Sequence, residues 1–91
     1  MSIGRKQRSS EKLSAKLLAI RQSLSMSQMQ IVDALQAPQR MGPQHISSFE
    51  RGLREPPLSV VLSYARLAGV NVEALIDDSM ALPRELAGDG L

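Results

Sequence analysis

Apolar residues recur along this chain at helical spacing, in short runs broken by turn residues. Leu13, Leu17, Ile20 and Leu24 lie 4, 3 and 4 residues apart, which predicts one buried stripe of an amphipathic helix. Ser10 precedes the stripe as a candidate N-cap, and Ser25 falls in the exit turn. Ser27 offers the next N-cap, ahead of a second stripe of Ile31, Val32 and Leu35. Ala37 to Gly42 breaks the pattern, because Pro38 disfavours helix immediately before it. Gly42 can then serve as N-cap with Pro43 at the first helical position, where its missing N–H is not needed. Ile46 and Phe49 form the buried side of this third helix, and Gly52 ends it in a left-handed conformation. Pro56-Pro57 starts a fourth helix with Val61, Leu62, Ala65 and Ala68 on one face, stopped by Gly69. Asn71 caps a short fifth helix carrying Val72, Leu75 and Ile76.

The expected organisation is a basic arm at 1–9, one helical domain at 10–78, and a tail at 79–91 with at most a turn around Pro83 to Leu86. The loop between the second and third helices is expected over Gln36 to Met41. The fold class is all-α with five helices.

Composition sharpens this picture mainly by exclusion. With one Phe, one Tyr and no Trp in 91 residues, the core is expected to be aliphatic, which suits short helices better than sheets. The absence of Cys excludes disulfides, thiolate catalysis and cysteine-zinc sites. The single His45 has no second His to share a metal with. No phosphate-binding Gly-rich loop, GxSxG or HExxH occurs, so no enzymatic activity and no cofactor are expected. Met26, Met29 and Met41 read as packing or loop residues rather than a cofactor box. Asp77-Asp78 reads as a solvated helix end. No apolar run reaches the roughly 20 residues of a membrane helix, and the N-terminus lacks the apolar region of a secretory signal. A cytoplasmic location is the expectation.

Charge is uneven although the net value is only +2. Arg5, Lys6, Arg8, Lys12, Lys16 and Arg21 stand against Glu11 alone in the first 21 residues. Glu73, Asp77, Asp78, Glu85 and Asp89 stand against Arg84 at the other end. Such asymmetry suits a chain with one end on a polyanion, and equally a soluble surface with a basic arm.

Four segments, in this order and spacing, carry a resemblance. They are Leu17-x-x-Ile20-Arg21, Ser27-Gln28-x-x-Ile31-Val32-x-x-Leu35, Ile46-Ser47-x-Phe49-Glu50-Arg51-Gly52, and the run from Leu58 to Ile76 containing Gly69-Val70-Asn71-Val72. From Leu17 to about Asp77 the chain resembles the helix-turn-helix domain of the Cro/CI (Xre) class of bacterial and phage regulators. The resemblance implies a five-helix lambda-repressor-like fold whose third helix lies in the DNA major groove. It also implies a sequence-specific transcriptional regulator, more often a repressor than an activator, bound to a double-stranded DNA operator as a homodimer. Two departures stand out. The connection from Leu35 to Ile46 is longer than the common family spacing, and Pro43 occupies a position where many members carry a polar side chain.

Residue roles follow from the resemblance. Gln44, His45, Ser47 and Ser48 are the candidate base readers, since Gln can grip adenine N6 and N7 while Ser and His reach base edges or phosphate. In an isolated helix the same residues would be a solvated polar face. Ser27 and Gln28 open a capped helix start that presents amides to a phosphate, and Arg51 and Arg54 are further phosphate candidates. Arg21 and Glu50 are expected to pair between the first and third helices, largely buried, and to orient the third helix from behind. Arg5, Lys6 and Arg8 either follow a groove or form a solubilising arm. The rival reading is an antitoxin or adaptor that binds a protein through the fifth helix or the tail.

Overall fold

A computed structural model describes residues 12–36 and 40–83. Among the described residues the secondary structure is wholly helical: α1 (Leu13–Ser23), α2 (Gln28–Leu35), α3 (Pro43–Glu50), α4 (Leu58–Ala68) and α5 (Val72–Ile76). None of these helices is long and apolar enough to cross a membrane. Ser10, the basic residues of the arm and the segment 84–91 lie outside the described residues.

The helix boundaries follow local chemistry. Helix α1 starts at Leu13 with Lys12 at the N-cap position and no side-chain cap. It ends in a Schellman turn in which Met26 N–H donates to Arg21 O (3.1 Å) and Ser25 N–H to Gln22 O (3.0 Å). Ser25 takes the left-handed position at φ 58°, a conformation that costs a non-glycine residue about 1 kcal/mol. Helix α2 starts with a reciprocal capping box: Ser27 Oγ accepts from Gln30 N–H (3.0 Å) and Gln30 Oε1 accepts from Ser27 N–H (2.8 Å). It stops at Leu35 with Gln36 left-handed, so α2 itself is not lengthened into the connection to α3. Helix α3 ends in a second Schellman turn through Gly52 at φ 75°, with Leu53 N–H on Ser48 O (2.9 Å). At Gly69 the same left-handed turn closes α4. Asn71 holds the N-cap position of α5 without a side-chain hydrogen bond.

Packing gives each helix a role. Helix α3 packs on α1 and α2, whereas α5 packs on α1 and α4, so the two short outer helices share α1 and differ in their second neighbour. Between them lies a core drawn from every helix, including Leu17, Ile20, Ile31, Ile46, Phe49 and Leu75. The chain's sole aromatic residues, Phe49 and Tyr64, are both in it.

Several expectations need correction. In α4 the fully packed positions are Val60, Val61, Tyr64, Ala65 and Ala68, whereas Leu62 is only half-buried. Helix α4 meets α1, α2 and α5 together, so its buried face is wider than one stripe and is centred between Val60 and Val61. In α5 the buried pair is Ala74 and Leu75, while Ile76 is 42% exposed. The segment after α5 does not leave the domain at Ser79. Met80 O accepts a hydrogen bond from Lys16 Nζ at 2.7 Å, and Leu82 packs against the core. Lys16 itself is buried on α1, a position where its charge predicts exposure.

Candidate nucleic-acid interface

Helix α3 spans eight residues, and at about 100° per residue its sides are readily assigned. Ile46 and Phe49 point into the core. Gln44, Ser47, Ser48 and Arg51 follow the i, i+3, i+4, i+7 pattern on the opposite side, with Gln44 and Arg51 exposed. Glu50 and His45 occupy the two flanks, each about 70° from the centre of the core-facing side.

The Glu50 flank is fastened to both neighbouring helices. Arg21 of α1 binds Glu50 through two parallel bonds, Nε to Oε2 at 2.6 Å and Nη2 to Oε1 at 3.0 Å. Arg21 Nη1 also donates to Met26 O at 3.0 Å, which ties the pair to the turn that leads into α2. From α2, Gln28 Nε2 donates to Glu50 Oε1 at 3.3 Å. The pairing expected for Arg21 and Glu50 is therefore present, with side-chain exposures of 17% and 4%. These hydrogen bonds raise the guanidinium further above its ordinary value, more than burial lowers it, and the Glu50 charge adds to the rise.

Gln28 plays a part in this network that its sequence position does not reveal. Its carboxamide donates inward to Glu50, so the side chain is engaged in holding α3. The amide groups of Gln28 and Met29 remain in the first turn of α2, where no intrahelical acceptor exists. The N-cap expected at Ser27 fixes this turn, and Gln30 completes it as a capping box.

His45 departs from the expected base-reading face. Gly42 N–H donates to His45 Nδ1 at 3.0 Å, so the imidazole folds back over the start of its own helix. It lies about 110° from the centre of the Gln44 side. The Gln44 side chain also curls toward Gly42, where its Oε1 would meet a built Cβ at 2.5 Å. That carboxamide is the end of a flexible, exposed side chain and swings outward at little cost.

Arg51 and Arg54 are both exposed beyond the end of α3. A groove beside α3 brings Arg54 together with Arg40 from the long α2–α3 connection. Sequence reasoning did not assign Arg40, which lines this groove beside His45.

Tyr64 lies behind this site. Its side chain is fully buried, and its hydroxyl has no hydrogen-bond partner among the described residues. Burial pushes the phenol well above its usual range, the Glu50 carboxylate adds to the rise, and Arg21 opposes it. An unpaired buried hydroxyl is a cost that phenylalanine lacks. Tyr64→Phe is therefore expected to leave stability unchanged or raise it by up to about 1 kcal/mol in urea denaturation. A loss above about 1 kcal/mol would show that the hydroxyl is satisfied in solution.

No family model, curated protein or solved structure matches this chain.

Proposed function

We propose that this chain is a sequence-specific double-stranded DNA-binding regulator whose α2 and α3 form a helix-turn-helix of the lambda-repressor-like kind. One observation carries the reading. A polar stripe of Gln44, Ser47, Ser48 and Arg51, exposed at Gln44 and Arg51 and half-buried at the two serines, lies on a short helix braced through Glu50 by Arg21 and Gln28. A helix held on its inner side and uncommitted on its outer side suits insertion into the major groove. Phosphate contacts from the α2 start, Arg51 and Arg54 would set the register, and the stripe would read base edges. Occupancy of an operator is then the regulatory act. Selection of bound sites from random duplex DNA tests the reading directly. Enrichment of one motif supports it, and a pool that stays random overturns it.

Readout makes a sharper prediction. Gln44→Ala is expected to relax preference at one base pair by about 1–3 kcal/mol of discrimination. Arg54→Ala is expected to weaken selected and random duplex alike and make the salt slope shallower by about one unit. The pair of variants is compared by binding titrations at several salt concentrations. Equal losses on both DNAs for Gln44→Ala would remove it from base reading.

Pairing of two chains belongs to the same proposal. Ile76, at the end of α5, and Met80, in the chain that follows it, are 42% and 41% exposed, and α5 packs on α1 and α4. A homodimer through this end would present two α3 helices to half-sites about 34 Å apart. Sedimentation is expected to show two chains on one selected site. A single chain on a full inverted repeat would refute pairing.

A further inference from the structure

The long α2–α3 connection gives α3 a second flank unlike the first. A groove of about 330 Å3 runs along it, lined by Arg40, Met41, His45, Phe49, Arg54 and Glu55, among others. Arg40 reaches it from the connection before α3, and Arg54 from the connection after α3. Two arginines face one glutamate there, so the charge of the groove is positive even with a neutral imidazole.

His45 sets the polarity of its inner wall. Its Nδ1 accepts from Gly42 N–H, so in the neutral ring the single proton sits on Nε2. Nε2 is then a donor and offers nothing to a donor ligand. The arginine guanidinium groups are also donors only. A groove with two planar forks and an imidazole N–H matches an oxyanion, and guanidinium groups grip phosphate as well as carboxylate bidentately.

We propose that Arg40, His45 and Arg54 together clamp one phosphate of the DNA backbone beside α3. This assignment rests on the DNA-binding reading: with the Gln44 side of α3 in the major groove, a flank of the helix meets the sugar-phosphate wall. It moves His45 from base reading to backbone contact, and it gives the long connection a purpose. Arg40 becomes a positioning residue that sets the register of α3 on the duplex.

The test uses the full chain, a duplex selected from a random pool, and a random duplex of equal length. Arg40→Ala is expected to weaken both about ten-fold, to make the salt slope shallower by about one unit, and to leave the selected motif unchanged. His45→Asn keeps an acceptor near the position of Nδ1 and removes the Nε2 donor. It is expected to weaken both duplexes several-fold, again with the motif unchanged. Ethylation of one particular phosphate should weaken the wild type more than Arg40→Ala, which keeps only His45 and Arg54 on that phosphate. Circular dichroism melting identifies any variant whose helices are disturbed, and Arg40→Lys separates charge from fork geometry by restoring only part of the affinity. Wild-type affinity and slope for Arg40→Ala would overturn the clamp while leaving the DNA reading intact. A changed motif for His45→Asn would return His45 to base reading and overturn its place in the clamp. Failure of the wild type to prefer any duplex, or capture of an acidic peptide in its place, overturns the DNA reading and the clamp with it.

Discussion

Arg21→Ala is expected to cost about 3–5 kcal/mol of folding stability, because it strands a buried carboxylate. Glu50 is 4% exposed and takes both of its short hydrogen bonds from Arg21. Without the guanidinium it keeps only the 3.3 Å bond from Gln28 among these contacts. Glu50→Ala is expected to cost less. Arg21 is 17% exposed and keeps Met26 O as an acceptor, so water can satisfy much of the fork. A symmetric surface ion pair would cost about 1 kcal/mol or less from either side. The asymmetry is thus the signature of burial. Replacing both residues with apolar ones of similar volume should recover much of the loss, since the buried pair is costly to desolvate in the first place. Urea midpoints at constant m-value measure all three variants. Equal, small losses for the two single variants would mean that the pair is solvated and does not brace α3. If the apolar double variant folds with its DNA motif unchanged, packing alone orients the helix, and the ion pair sets stability rather than readout.

The parts of this architecture that were legible in the sequence are those that depend on near neighbours. Leu13, Leu17 and Ile20 declare α1 by spacing, and all three are buried. Ser27, Gly42 with Pro43, and Gly52 mark ends that the backbone respects. What spacing cannot show is which long-range partner claims a polar side chain. Gln28 sits at a helix start and reads as a phosphate contact, yet its carboxamide donates to Glu50, 22 positions away. His45 reads as part of the polar face, yet its Nδ1 is used three residues back at Gly42. In α4 a single stripe was assumed, but contact with three other helices widens the buried face to include Val60 and Tyr64. The Arg21–Glu50 pair was available only through family resemblance, since nothing in local spacing joins residues on α1 and α3.

Lys16→Met is the second substitution expected to be severe, with a loss of about 2–4 kcal/mol. Lys16 is 8% exposed on α1, where it falls at i+3 from Leu13 and so joins the buried side of the helix. Its ammonium group donates to Ala74 O at 2.7 Å, Asp77 O at 3.0 Å and Met80 O at 2.7 Å. An ammonium has three protons, so these contacts use its full donor capacity. The acceptors include carbonyls at the end of α5, which have no partners inside the helix. Asp77 directs its carboxylate elsewhere: Oδ1 accepts from Ser79 N–H at 2.9 Å and Ser79 Oγ–H at 2.6 Å, and these bonds hold its carboxyl below the ordinary carboxylate range. Lys16 is therefore held by backbone rather than by an acid, and it pins both α5 and the chain that follows to α1. Methionine fills similar volume without donating, so the loss isolates the hydrogen bonds from the packing. Lys16→Arg is not expected to rescue, because a planar fork cannot direct three bonds to three converging carbonyls. Hydrogen exchange should show faster opening of residues 74–82, while the α2 and α3 amides keep their protection. Helices α5 and α3 share α1 as a neighbour but otherwise pack on α4 and α2 respectively, so on the proposed DNA-binding reading Lys16→Met is expected to keep the selected DNA motif and to weaken chain pairing at the α5 end. A change in base preference with pairing intact would mean that α5 communicates with the reading helix through α1, and a stability loss below about 1 kcal/mol would show that water replaces the lysine at those carbonyls.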